Sequence, residues 1–249
     1  MQDNFYLNVH SNGQVSRGSL LPGMADVTQA EFEALALAQL RELWTDNGEV
    51  SEAWFDGGVP VSMRPAVSAL IEELLPNAVV FDGADVSPHP IKWVGTESGS
   101  IGGPIWSTGV SRQGDPDADD YVPAGCDTVI TTPHTWFAIQ GMGVRSLGSL
   151  IDTYHSTVGN NCVLELGFAA LRTGLIPDDQ AQRAKEFGDW IRACYAVPVA
   201  SVAGNGTQLE LPLPHGASID RIVIQEEIVL GQRIRAYTVE AKMGAAWQP

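Results

Sequence analysis

Basic residues are scarce. The 249-residue chain has 14 lysines and arginines against 30 aspartates and glutamates, a formal net charge of −16. Binding to nucleic-acid phosphates needs clustered Lys and Arg, so a nucleic-acid partner is not expected. Long apolar runs are lacking too. No segment reaches about 18 uninterrupted apolar residues, so no membrane-spanning helix is expected. The opening "MQDNFYLNVHSNGQ" has neither a basic start nor an apolar stretch, and does not read as a secretory signal. Cysteines are few: Cys126, Cys162 and Cys194. With no Cys-x-x-Cys, a zinc site is unsupported and at most one internal disulfide can form. No Gly-x-Ser-x-Gly elbow occurs, which leaves a serine hydrolase without its nucleophile turn.

Hydrophobic residues make up 44% of the chain and charged residues 18%, enough for a sizeable core. Residues 1–27 read as loop. Thr28, with Glu31 three positions on, predicts a capped helix carrying Phe32, Leu35, Ala36, Gln39, Leu40 and Leu43 at helical spacing. Further helices are predicted over 64–76, 144–159 and 178–195. Short strands are predicted in "EAWFDGG" (52–58), "NAVVFDG" (77–83), "HPIKWVGTESG" (89–99), "CDTVITT" (126–132) and "NCVLELGF" (161–168). Alternating helices and apolar strands predict a parallel sheet covered by helices. A long Gly-, Ser- and Asp-rich stretch runs from the third strand to about residue 120, and irregular segments of that length are usually functional or disordered. From about residue 198, "TQLELPLP", "IDRIVIQEEI" and "RIRAYTVEA" alternate in the manner of an antiparallel β module.

In parallel α/β proteins, reacting groups gather at the C-terminal ends of strands. Asp56, Asp82 and Glu97 stand at such ends. Strand alternation puts Trp54 on the face of Asp56, and Trp93 on the face of Glu97. Carboxylates beside aromatic walls suit sugar chemistry: a ring packs on the apolar side of a pyranose, and two acids cut the glycosidic bond. Position alone also fits a plainer reading, because an Asp before Gly-Gly commonly forms a turn.

The stretches that carry chemistry resemble a known family. "QLRELWTDNGEVSEAWFDGG" is similar to the nucleophile strand of α-L-fucosidases, glycoside hydrolase family 29. "NAVVFDGADVSPHPIKWVGTESG" resembles the next two strands, including the Trp-Val-Gly-x-Glu segment of the subgroup acting on α-1,3/1,4-linked fucose. "HTWFAIQGMGVRSL" and the run from Leu150 to Tyr195 resemble later segments in the same order. "IDRIVIQEEIVLGQRIRAYTVE" resembles the opening of the C-terminal sandwich, and the likeness is closest to the plant-like branch. It implies a partial (β/α)8 TIM barrel, strands four to eight, over residues 1–197. The start of an antiparallel β-sandwich would follow over 198–249. It implies Asp56 as nucleophile and Glu97 as general acid/base of a retaining hydrolase. Trp54, Trp93 and Trp136 are candidates for the aromatic wall around fucose. It implies a fucosylated glycan or glycoprotein substrate, no metal or other cofactor, and a secreted or vacuolar/lysosomal location.

Two departures qualify the expectation. The family's paired histidines have no counterpart among His10, His89, His134, His155 and His215, and its first three strands are not matched, so the chain reads as a fragment. Gly125 in "YVPAGCDT" stands where the family often has an acid. The alternative reading is a catalytically inactive, fucosidase-like protein with at most carbohydrate binding.

Overall fold

The computed structural model describes residues 9–10, 13–15, 22–228 and 232–249. The rest of the loop expected over 1–27 lies outside the described residues. A two-residue pair, β1 (Val9–His10) and β2 (Gln14–Val15), precedes helix α1 (Gln29–Thr45). Thr28 caps α1 as its spacing predicts: its side chain accepts from the Glu31 amide, and the Glu31 carboxylate accepts from the Thr28 amide. Then come β3 (Glu52–Trp54), α2 (Arg64–Leu74), β4 (Val79–Phe81), β5 (Pro90–Trp93) and β6 (Ala124–Val129). A small antiparallel pair, β7 (Thr131–Thr132) and β8 (Gly143–Val144), leads to α3 (Leu147–Ser156), β9 (Cys162–Gly167) and α4 (Asp178–Tyr195).

Strands β3-β4-β5-β6-β9 form one parallel sheet in that order. It is a curled half-barrel with two chemically different faces. Ala53, Val80, Ala124, Cys126, Leu164 and Leu166 pack outward. Ala53 and Val80 meet Phe32 and Ala36 of α1 and Val67 and Ile71 of α2. Leu164 and Leu166 meet Leu150 of α3 and Phe187 of α4. Burying those apolar side chains is what holds helices to sheet, at about 1.5–3 kcal/mol for each fully buried Val, Ile or Leu. The alternate residues face the other way: Glu52 and Trp54, Phe81, Ile91 and Trp93, Gly125 and Asp127, Glu165. Registers pair Trp54 with Phe81, Phe81 with Ile91, Trp93 with Gly125 and Asp127 with Glu165.

No helix joins β5 to β6; the long irregular segment takes that place on the outer face. Ile101 and Ile105 pack there on Ala124 and on the buried Cys126–Cys162 disulfide. An irregular loop over a sheet has carbonyls that no ladder satisfies. Lys92, buried and outward-facing on β5, supplies donors. Its ammonium donates to the carbonyls of Trp106, Thr108, Gly109 and Val122. Burial pushes this ammonium down to about 8.

Of the antiparallel module expected from residue 198, the described residues show one antiparallel hairpin. Among the described residues after 198, strands occur only in the exposed hairpin β10 (Ala241–Met243) and β11 (Ala246–Gln248). An alternating segment becomes a strand only when a neighbouring strand completes its ladder. "TQLELPLP" and residues 233–240 have no such neighbour among the described residues, and they lie exposed.

Candidate active site

The acids singled out by sequence stand at the C-terminal edge of the half-barrel. Asp56 follows β3 by two residues, where the Phe55 amide still donates to the Phe81 carbonyl at 3.4 Å. The chain then turns away, with the Gly58 amide donating to the Phe55 carbonyl at 2.7 Å. Asp56 is exposed. Asp82 follows β4 directly in a left-handed conformation, φ 52°, which Asp tolerates better than most residues. Burial raises its pKa, and the neighbouring Asp85 and Asp56 carboxylates raise it further.

Glu97 lies four residues past β5, on a loop tied down at both ends. Thr96 Oγ1 accepts from the Ser98 amide, and Ser156 Oγ of α3 donates to the Gly99 carbonyl at 2.8 Å. Glu97 Oε2 accepts the indole N–H of Trp136 at 3.1 Å and lies 3.6 Å from His134 Nε2. Trp136 thus meets Glu97, although 39 residues separate them.

Trp54 and Trp93 keep the faces that alternation assigns them, but their partners differ from the expected ones. The Trp54 ring stacks on Phe81, centroids 3.7 Å apart, which holds the ring flat beside the edge that carries Asp56. Trp93 donates its indole N–H to Asp127 Oδ1 at 2.6 Å, and Arg112 of the long loop lies over its ring at 5.3 Å.

Asp127 is the residue that sequence reasoning passed over. It sits in the middle of β6, where all six residues are buried and "AGCDTV" looks like an interior run. Burial raises its pKa; the Trp93 hydrogen bond and its own amide oppose that, and the Glu97 and Asp56 carboxylates add to it. Asp127 is therefore within electrostatic reach of both proposed catalytic acids. Deeper in the same face, burial pushes Glu165 up to about 8, with Glu52 and Asp127 adding to the effect. One Glu165 oxygen is buried without a hydrogen-bond partner. A row of carboxylates thus faces one side of the sheet, and at neutral pH Glu165 is largely neutral.

On its far side β3 has no strand neighbour among the described residues. An open groove of about 620 Å³ runs along it, lined by Leu40, Leu43, Trp44 and Val50 and reaching Trp54 and Asp56. His89, His134, His155 and His215 do not gather into a pair: His134 faces Glu97, while His155 Nε2 is 2.9 Å from the Tyr195 hydroxyl.

No family model matches the chain. It is 29% identical over 265 residues to an Oryza sativa subsp. japonica protein assigned as α-L-fucosidase 1, a match covering 85% of this chain and 50% of the relative. A Bacteroides thetaiotaomicron structure assigned as an α-L-fucosidase superposes with a TM-score of 0.65 at 31% identity. That match covers 74% of this chain and 47% of that one. A glycoside hydrolase 29 family member from an unknown rumen bacterium superposes with a TM-score of 0.61 at 26% identity, covering 74% and 41%. The chain spans about half the length of the relatives it matches. By sequence and by fold, the chain is similar to α-L-fucosidases, and by fold to a member of glycoside hydrolase family 29.

Proposed function

We propose that the chain carries the catalytic carboxylates of a retaining α-L-fucosidase, which removes terminal α-L-fucose from a fucosylated glycan or glycoprotein. Asp56 is the nucleophile and Glu97 the acid/base. The observation that carries this reading is that Asp56, just past β3, and Glu97, just past β5, both lie near enough to Asp127 to raise its carboxyl's pKa. Retention needs carboxyl groups roughly 5–5.5 Å apart.

In the first step the Asp56 carboxylate attacks the anomeric carbon while Glu97 gives its proton to the leaving oxygen. Carbon–oxygen cleavage and formation of the Asp56 ester occur together. In the second step Glu97 takes a proton from water, whose oxygen displaces Asp56 and restores the original anomeric configuration. Trp54, Trp93 and Trp136 wall the sugar. No metal or other cofactor enters either step.

The five parallel strands are read as strands four to eight of a (β/α)8 barrel, with the barrel segment over 1–197 and the opening of a sandwich over 198–249. An α-1,3/1,4 linkage preference is inferred from the Trp93–Gly99 segment. A secreted or vacuolar compartment fits the buried Cys126–Cys162 disulfide, since disulfides persist where the surroundings are oxidising.

The test is hydrolysis of a chromogenic α-L-fucoside by the wild-type chain, Asp56→Ala and Glu97→Ala. Each substitution is expected to remove most of the activity. Turnover indifferent to both would overturn the assigned roles. The edge of β3, without a strand neighbour among the described residues, favours a second reading, fucose binding without turnover. Calorimetry that finds fucose binding in a chain with no detectable hydrolysis would favour it.

A further inference from the structure

The contact between Glu97 and the β7–β8 connection has a chemical consequence. Trp136 sits in that connection, which Thr131 stiffens: its hydroxyl donates to the Thr135 carbonyl at 2.7 Å and accepts from the Thr135 amide at 3.2 Å. The Trp136 ring lies over β9 at Gly167, where a Cβ would collide with it. His134 stands edge-on to the same ring, centroids 5.8 Å apart. The indole N–H therefore has a fixed direction, and it points at one oxygen of Glu97, Oε2.

An indole nitrogen can only donate. A protonated carboxyl has one carbonyl oxygen, which accepts well, and one hydroxyl oxygen, which accepts poorly. The Trp136 N–H favours the tautomer in which Oε2 is the carbonyl. The acidic proton is then carried on Oε1. Asp127, approaching from β6, interacts with Glu97 as well.

We infer that Trp136 and His134 are positioning residues for acid catalysis: they hold Glu97 Oε2 so that Oε1 delivers the proton to the leaving oxygen. Resting on the proposed fucosidase reading, this gives Trp136 a task besides walling the sugar. It also makes the indole N–H, rather than the ring, the essential part.

The experiment separates the two ideas by leaving group. A fucoside with a sugar leaving group needs a proton on the departing oxygen; a dinitrophenyl α-L-fucoside hardly does. Trp136→Phe keeps a ring and removes the N–H. Its loss in kcat/KM is expected to be about tenfold or more larger for the sugar-leaving substrate than for the dinitrophenyl one, within the range that general acid catalysis contributes. His134→Ala should shift the ratio in the same direction. Equal losses on both substrates would make the two residues merely structural and overturn the inference. If Glu97→Ala itself shows no leaving-group dependence, it is the acid role of Glu97 that fails. A second measurement does not depend on turnover. The Trp136 indole N–H resonance should move in Glu97→Ala, and an unmoved resonance overturns the inference even in a chain with no activity.

Discussion

Phe81 occupies the space that a side chain on Gly125 would need. A Cβ there would collide with the Phe81 ring, and would come within 3.0 Å of Glu165 Oε1 and 3.1 Å of Ile91 Cγ2. The missing acid at this position is thus matched by an aromatic ring filling its place. That ring is the one on which Trp54 stacks. Gly125→Ala should therefore destabilise the chain by about 1–3 kcal/mol, the usual cost of overpacking. Chemical denaturation would measure it. A neutral or stabilising Gly125→Ala would mean that Phe81 moves aside freely.

Glu165 gives stability a pH dependence of definite sign. Its native pKa of about 8 lies above the ordinary 4.5, so between those values the native state keeps a proton that the unfolded chain has released. Stability should fall as pH rises through that window, then level off. Glu165→Gln keeps the neutral shape and removes this contribution. The difference in urea midpoint between wild type and Glu165→Gln should shift in favour of the variant from about pH 5 to about pH 8.

Lys92 ties the loop between β5 and β6 to the sheet through four carbonyls. Lys92→Met fills the stem's space but leaves those carbonyls without their donor. The cost should be at least about 1–3 kcal/mol, the penalty for one unsatisfied buried group. Limited proteolysis should then cut first within residues 99–121. Unchanged stability and unchanged cleavage would show that the loop is held by its own contacts.

The disulfide between Cys126 and Cys162 closes a separation of 36 residues across β6 and β9. Losing a cross-link of that span costs about 2–4 kcal/mol. In a domain of this size that corresponds to a Tm lower by about 5–15 °C. Thermal melts of the oxidised chain and of Cys126→Ala/Cys162→Ala provide the comparison. Cys194, exposed and free, should contribute nothing to it.

The helices were legible because their signals are local. Thr28 and Glu31 cap α1 as their spacing requires, and α4 runs over the residues its pattern marks, Asp178–Tyr195. The strands were legible as short apolar runs, and alternation placed Trp54 and Trp93 on the sheet face that carries Asp127 and Glu165. What could not be read was anything depending on which strands meet. Asp127 hides in a strand buried on both faces, so no polar alternation marks it. The Trp136–Glu97 contact needs the loop after β5 and the β7–β8 connection to converge. The alternation after residue 198 records a tendency to pair, and among the described residues only β10 and β11 find a partner strand.

The central claim is that Asp56 forms a covalent bond to the sugar. A 2-deoxy-2-fluoro-α-L-fucosyl fluoride slows breakdown of such an ester, so the adduct can be digested and sequenced by mass spectrometry. The account predicts one added fluorofucosyl group, located on Asp56, and none in Asp56→Ala. A label on Asp82, Asp127 or another carboxylate, or no label in a chain that hydrolyses fucosides, would contradict it.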